Sequence, residues 1–152
     1  MAFDREFVVG SEAMWVSEQS VETSAGPEAI WRMWRDLPAW PSWNVDLENV
    51  EADGPLAVGT TVTLGERGVG PVKSRVTNVV DGQSFTITID LDGATLSVDY
   101  RVAIWAERTR VYHRMVVEGP NDQLVGQQMA PIVAQRIPHI LQTLVSMAES
   151  SS

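Results

Sequence analysis

The chain contains no cysteine, which excludes disulfides, thiol nucleophiles and cysteine-ligated metals. Its only histidines, His113 and His139, fall on different predicted elements without ligand-spaced partners, so no metal site is expected. Basic residues are scarce: 11 Lys and Arg face 20 Asp and Glu, for a net charge of −9. That balance lacks the basic footprint that phosphates require, and it argues against nucleic acid and anionic membrane surfaces as partners. No apolar run approaches the ~20 residues of a bilayer span. The first residues carry Asp4, Glu6 and Glu12 and no apolar stretch of signal-peptide length. No membrane span and a cytoplasmic location are therefore expected. No glycine-rich loop follows a strand and opens a helix, and no G-x-S-x-G elbow is present. The sequence implies no cofactor and leaves the oligomeric state open.

Aromatic residues are also few, at 7%, but they are concentrated. The stretch PEAIWRMWRDLPAWPSWN, from Pro27 to Asn44, holds four tryptophans and three prolines. Ile30, Met33, Trp34 and Leu37 recur at helical spacing and predict one apolar stripe. Pro27 suits the first helical position, Glu28 the positive end of the helix dipole, and Arg32 and Arg35 the negative end. Pro38 must stop this helix, so Ala39 to Trp43 is predicted to form a second, tighter helical turn.

Elsewhere the pattern alternates with the period of strands. Met14 to Thr23 places Trp15, Ser17, Gln19, Val21 and Thr23 on one face, predicted to point inward. Val45 to Ala52, Thr61 to Arg67 and Val72 to Val80 follow, separated by the turn signals Asp53-Gly54-Pro55 and Gly68-Val69-Gly70-Pro71. Ser84–Leu91, Ala94–Trp105 and Arg108–Glu118 complete the set, with Asp92-Gly93 as a compact hairpin signal. After Gly119-Pro120 the period becomes helical, with Met129, Val133, Ile137, Ile140, Leu144 and Met147 as a long stripe. The stretch Asp122 to Ala130 reads as looser, with Pro131 as a helix start. Pro138 deprives the Ala134 carbonyl of its donor, so a kink or break is expected there, and Glu149 to Ser152 is expected to fray. Residues 1–11 read as a loose lead-in with a weak apolar knot at Phe7–Val9. The 152 residues predict one ligand-binding domain with a core from about 12 to 149. The order β, α, α, six β, long α is an α+β arrangement: a curved antiparallel sheet wrapped around the last helix. A hole between the concave face and that helix is the natural ligand site.

The tryptophan-rich stretch resembles the signature of the polyketide cyclase/dehydrase and lipid-transport family of the START-like superfamily, which also contains the birch-pollen allergen fold. In that family a P-E-x-V-W helix precedes a D-x-x-x-W-P-x-W-N turn. DGPLAVGT, Asp53 to Thr60, resembles its glycine turn, and RIPHILQTLVSMAE resembles its terminal helix. The resemblance runs from about Trp15 to Glu149. It implies a helix-grip fold with a seven-stranded sheet, and activities that range over cyclases, dehydratases and lipid carriers.

Within that frame the inward polar residues are the candidates. His113, among Val111, Met115 and Val117, is either an acid/base group or a hydrogen-bonded core histidine. Tyr100, on the neighbouring strand, can hydrogen-bond a carbonyl or simply fill the core. Glu66 aligns with Val62 and Leu64 and would have a raised pKa if it points inward, unless the strand ends before it. Gln19 and Ser17 can add polar contacts, Trp40 and Trp43 a lid or wall, and Met129 and Val133 the opposite wall. Trp31 and Trp34 read as plain core. Asp99, Arg101, Arg110, Tyr112 and Arg114 fall on the other face and read as a solvated charge ladder. Three functions follow: a carrier of a hydrophobic small molecule (polyketide-like, lipid or aromatic), a polyketide cyclase/dehydratase using His113, Tyr100 or Glu66, or an interaction module of the Hsp90-activator type.

Overall fold

The computed structural model describes residues 14–91, 93–119 and 130–151. The first strand, β1 (Met14–Thr23), leads into helix α1 (Pro27–Arg35) and a 3-10 helix (Leu37–Ser42). Six strands follow: β2 (Leu47–Ala52), β3 (Thr61–Glu66), β4 (Gly70–Val80), β5 (Ser84–Leu91), β6 (Ala94–Trp105) and β7 (Arg108–Glu118). Helix α2 (Ala130–Ser151) closes the chain. The strands make one antiparallel sheet in the order β1-β7-β6-β5-β4-β3-β2, with short helices between β1 and β2 and the long helix at the end. This is the expected α+β helix-grip arrangement.

Pro27 begins α1, Glu28 lies in its first turn and Arg32 and Arg35 in its last, as the dipole favours. Its buried face consists of Ala29, Ile30, Trp31 and Trp34, whereas Met33 is only partly buried. Ile30, Trp34 and Leu37 of the expected stripe are buried, and Trp31 joins Trp34 against Phe85 in the place expected of Met33. Burying side chains of this size stabilises the fold by roughly 1.5–3 kcal/mol each. β2 starts at Leu47, two residues later than predicted, and Val45 is left exposed. β3 ends at Glu66 and β4 starts at Gly70, where the chain adopts the positive φ that glycine tolerates.

Helix α2 departs most from expectation. It runs through Pro138 as one helix and remains helical to Ser151, so of the expected kink or break there is no break, and the tail expected to fray is helical. Its buried residues are Ala134, Ile137, Ile140, Leu141, Leu144, Val145 and Ala148, while Val133 is half-buried and Met147 is exposed. The inward stripe thus keeps Ile137, Ile140 and Leu144 of the predicted set, while Ala134 and Ala148 take the inward places expected of Val133 and Met147. Three tethers fix this orientation. Gln19 donates to the Ala134 carbonyl at 2.7 Å, Thr23 donates to Glu149 at 2.6 Å, and Arg136 meets Asp46 at 3.2 Å. The first two hold α2 to the β1 edge, and the third holds it to the β2 side. Met129, the Asp122 stretch before it and the 1–11 lead-in lie outside the described residues.

Candidate functional site

The register of the sheet sets the inner-face residues in transverse rows. Gln19 pairs with His113, His113 with Tyr100, and Tyr100 with Phe85, so four adjacent strands contribute one row. The rows on either side are Val21, Val111 and Val102, and Ser17, Met115, Val98 and Ile87. The polar Gln19–His113–Tyr100 row is thus framed by largely aliphatic ones. All three of its polar members are buried.

An aromatic cluster covers the Tyr100 end of this row. Phe85 and Tyr100 stack with ring centres 4.6 Å apart, and Trp34 meets both edge-on at 5.5 and 5.6 Å. Trp40 leans on Phe85 at 5.7 Å, and Trp43 meets Tyr100 at 6.4 Å. Trp40 and Trp43, read from sequence as a lid or wall, are each only 2% exposed and lie inside this cluster. The 3-10 helix brings them there, and the Trp40 indole N–H donates to the Trp34 carbonyl at 2.8 Å. The indole N–H groups of Trp15, Trp31, Trp34 and Trp43 are buried without an acceptor among the described residues. Such donors are uncommon in protein interiors.

Electrostatics divides the candidates into two kinds. Burial pushes the His113 imidazole down to about 4, so the ring is neutral at pH 7. Tyr100, whose ring lies 5.0 Å from that of His113, is pushed well above its ordinary value by burial and by the Glu66 charge. It therefore stays a phenol and a hydrogen-bond donor at neutral pH. Glu66, at the end of β3, is half-buried; burial first and then the nearby Asp46 raise its pKa, against the pull of Arg136. The structure brings together Gln19, His113, Tyr100, Trp40 and Trp43, with Glu66 within electrostatic reach of Tyr100. Val133 packs at the edge of the core, and Met129 is outside the described residues. Gln19 is already engaged: its amide serves the Ala134 carbonyl. Phe85 was not singled out from sequence, although counting back from the Asp92-Gly93 hairpin signal sets it opposite Tyr100.

Comparison with solved structures agrees with this architecture. Norcoclaurine synthase from Thalictrum flavum, in complex with dopamine and hydroxybenzaldehyde, superposes with a TM-score of 0.73 at 12% identity, covering 99% of each chain. A START superfamily protein from Mycobacterium smegmatis gives 0.67 at 15% identity, over 90% of this chain and 99% of that one. Ara h 8.0201 gives 0.72 at 11% identity, over 91% and 99%. At such identities the likeness establishes the fold. Comparison with curated proteins returns no match. Among the described residues no helix is long and apolar enough to cross a membrane. Residues 14–149 match the family described as polyketide cyclase / dehydrase and lipid transport, and with nearly its whole length matched the chain belongs to that family.

Proposed function

We propose that the chain acts as one ligand-binding domain that holds a hydrophobic small molecule, of polyketide-like, lipid or aromatic character, between the inner face of the sheet and α2. The observation that carries this reading is the buried polar row Gln19–His113–Tyr100 set in an otherwise apolar, aromatic-rich face. A few placed polar groups in an apolar surround are the usual composition of a small-molecule site. The buried indole donors beside that row support the same reading, since a ligand oxygen would give them an acceptor. Native mass spectrometry of purified protein, followed by organic extraction, tests it. A co-purified hydrophobic molecule, or saturable quenching of tryptophan fluorescence by 1-anilinonaphthalene-8-sulfonate, is expected. Empty protein that also ignores the probe would overturn the reading.

A second reading, a polyketide cyclase/dehydratase, is favoured by one specific feature. His113 and Tyr100 are both neutral at pH 7 and lie in ring contact. A neutral imidazole can take a proton from the carbon beside a ketone while the phenol hydrogen-bonds the carbonyl oxygen that gains the charge. Glu66, whose carboxyl burial pushes up from its ordinary value, then returns a proton to the hydroxyl that leaves as water. His113→Gln and Tyr100→Phe should each abolish turnover of a linear poly-β-ketone thioester yet retain probe binding. Wild-type protein that binds such a thioester without consuming it is a carrier.

A further inference from the structure

The outer face of the sheet, opposite α2, carries a groove of about 490 Å³. Strand alternation puts the side chains of Arg101, Arg110, Tyr112 and Arg114 there, while Tyr100 and His113 also border the groove but belong to the inner-face row. Three of the chain's 11 basic residues thus line one groove of a protein with net charge −9.

Three carboxylates stand in or beside this groove, Glu18, Glu22 and Asp99, the last directly across the sheet from Arg114. Glu22 takes a hydrogen bond from Arg110 at 2.6 Å, which holds its carboxyl below the ordinary range, and Asp99 accepts from Thr86. Glu18 lies 3.2 Å from the Arg114 Nε, but that N–H is not directed at it: Nε of Arg114 and Nε of Arg110 are both buried without a hydrogen-bond acceptor among the described residues. Arg101 has no carboxylate within ion-pair distance among the described residues. Its guanidinium rests over the Tyr112 ring at 4.3 Å, which holds it at the groove with its donors available. Donors therefore outnumber directed acceptors. The charge ladder read from sequence is present in the Glu22–Arg110 and Glu18–Arg114 pairs across β1 and β7, and it leaves over the donors of Arg101 and the two Nε groups.

The geometry points to an outer-face site for a small oxyanion, a carboxylate or phosphate group, held by the guanidinium groups of Arg101, Arg110 and Arg114. The site is separate from the inner face, and its existence does not depend on the function proposed above. Arginine is suited to it, because its planar fork matches both kinds of oxyanion.

Arginine Nε–H resonances of ¹⁵N-labelled full-length protein read this directly. Inorganic phosphate and citrate would be titrated separately at constant ionic strength, with chloride as the control. The expected result is a saturable shift of the Arg101, Arg110 and Arg114 signals with at least one of the two anions, while Arg67 and Arg75 and the buried tryptophan indole signals stay still. Which anion saturates tells a phosphate-bearing from a carboxylate-bearing ligand. Arg101→Gln, at an exposed position, should weaken binding about tenfold or more through loss of charge-assisted hydrogen bonds, whereas Arg67→Gln should not. Shifts that never saturate, that chloride reproduces, or that survive Arg101→Gln unchanged would overturn the assignment. Saturable shifts confined to the indole signals would overturn it as well, and would mark binding on the inner face instead.

Discussion

A proline at position i removes the donor that the carbonyl at i−4 would have used, and Pro38 and Pro138 each do this to a buried stretch of helix. In both places a side chain from outside the helix supplies the missing donor, a near one at Pro38 and a distant one at Pro138. The Trp40 indole serves the Trp34 carbonyl, and the Gln19 amide serves the Ala134 carbonyl. This explains why α2 continues through Pro138 instead of breaking, and why an amide stands at an inward position of β1. Replacing Gln19 with leucine should cost about 1–3 kcal/mol, the penalty for a buried carbonyl left alone. Adding Pro138→Ala should recover most of that loss, because alanine at that position brings back the backbone N–H. Urea denaturation of the two single variants and the double variant measures the coupling; simple additivity would refute the assignment. His113 gives a second prediction at this scale. Its pKa is about 4 folded against the ordinary 6.5, so the unfolded chain takes up the proton first as pH falls. The stability His113 contributes is fully present above about pH 6.5 and is lost as pH falls towards 4, by up to about 3 kcal/mol. Glu66, with its raised pKa, acts with the opposite sign, being stabilising at low pH and losing that contribution as pH rises through its folded value. The difference between the stability profiles of wild type and His113→Gln isolates the histidine, and parallel profiles would show that its burial is not what depresses stability in acid.

Among the elements, the β6–β7 hairpin turns on two residues of unusual backbone. Ala106 and Glu107 have φ of 49° and 66°, between the paired Trp105 and Arg108. Positive φ at both central residues is the geometry that matches the twist of the flanking strands; glycine adopts it without a Cβ clash, and asparagine tolerates it through local hydrogen bonding. Glu107→Gly should therefore raise stability by about 1 kcal/mol, visible as a higher midpoint in urea. An unchanged or lowered midpoint would mean that the Glu107 side chain makes a compensating contact. Register at this scale follows from such turns. A two-residue connection fixes Tyr100 opposite His113, and β5–β6 pairing fixes Phe85 opposite Tyr100. The aromatic cluster is thus a consequence of turn length as much as of aromatic content.

Over the whole molecule, the first strand closes the structure from the far end of the sequence. β1 pairs with β7, joining residues 14–23 to residues 109–118, and α2 then packs against β1 and α1. Loop closure on that scale must precede the contacts that reward it, so folding is expected on the millisecond-to-second scale typical of non-local β topologies. Stopped-flow refolding monitored by tryptophan fluorescence checks this; a microsecond phase carrying the full amplitude would contradict it. The Arg136–Asp46 pair spans α2 and the β2 side, but both groups are partly exposed, so it orients the helix more than it stabilises it.

Sequence by itself determined the seven strands, most of their bounds and the inward-facing set, because a half-buried strand must alternate and glycine marks most of the turns between them. It also determined the short helix and its tight successor, through Pro27, Pro38 and the spacing of Ile30, Trp34 and Leu37. Tertiary structure alone decided three things. The pairing of β1 with β7 has no hairpin between its strands, so nothing local sets Gln19 opposite His113. The facing of α2 was decided by tethers from β1 and β2, since a helix rich in Val, Ile, Leu and Ala offers several nearly equivalent apolar stripes. The outer arginines form the expected charge ladder, but the groove beside it and the unpartnered Nε groups of Arg110 and Arg114 depend on the directions of individual N–H groups, which are not written in the spacing of residues.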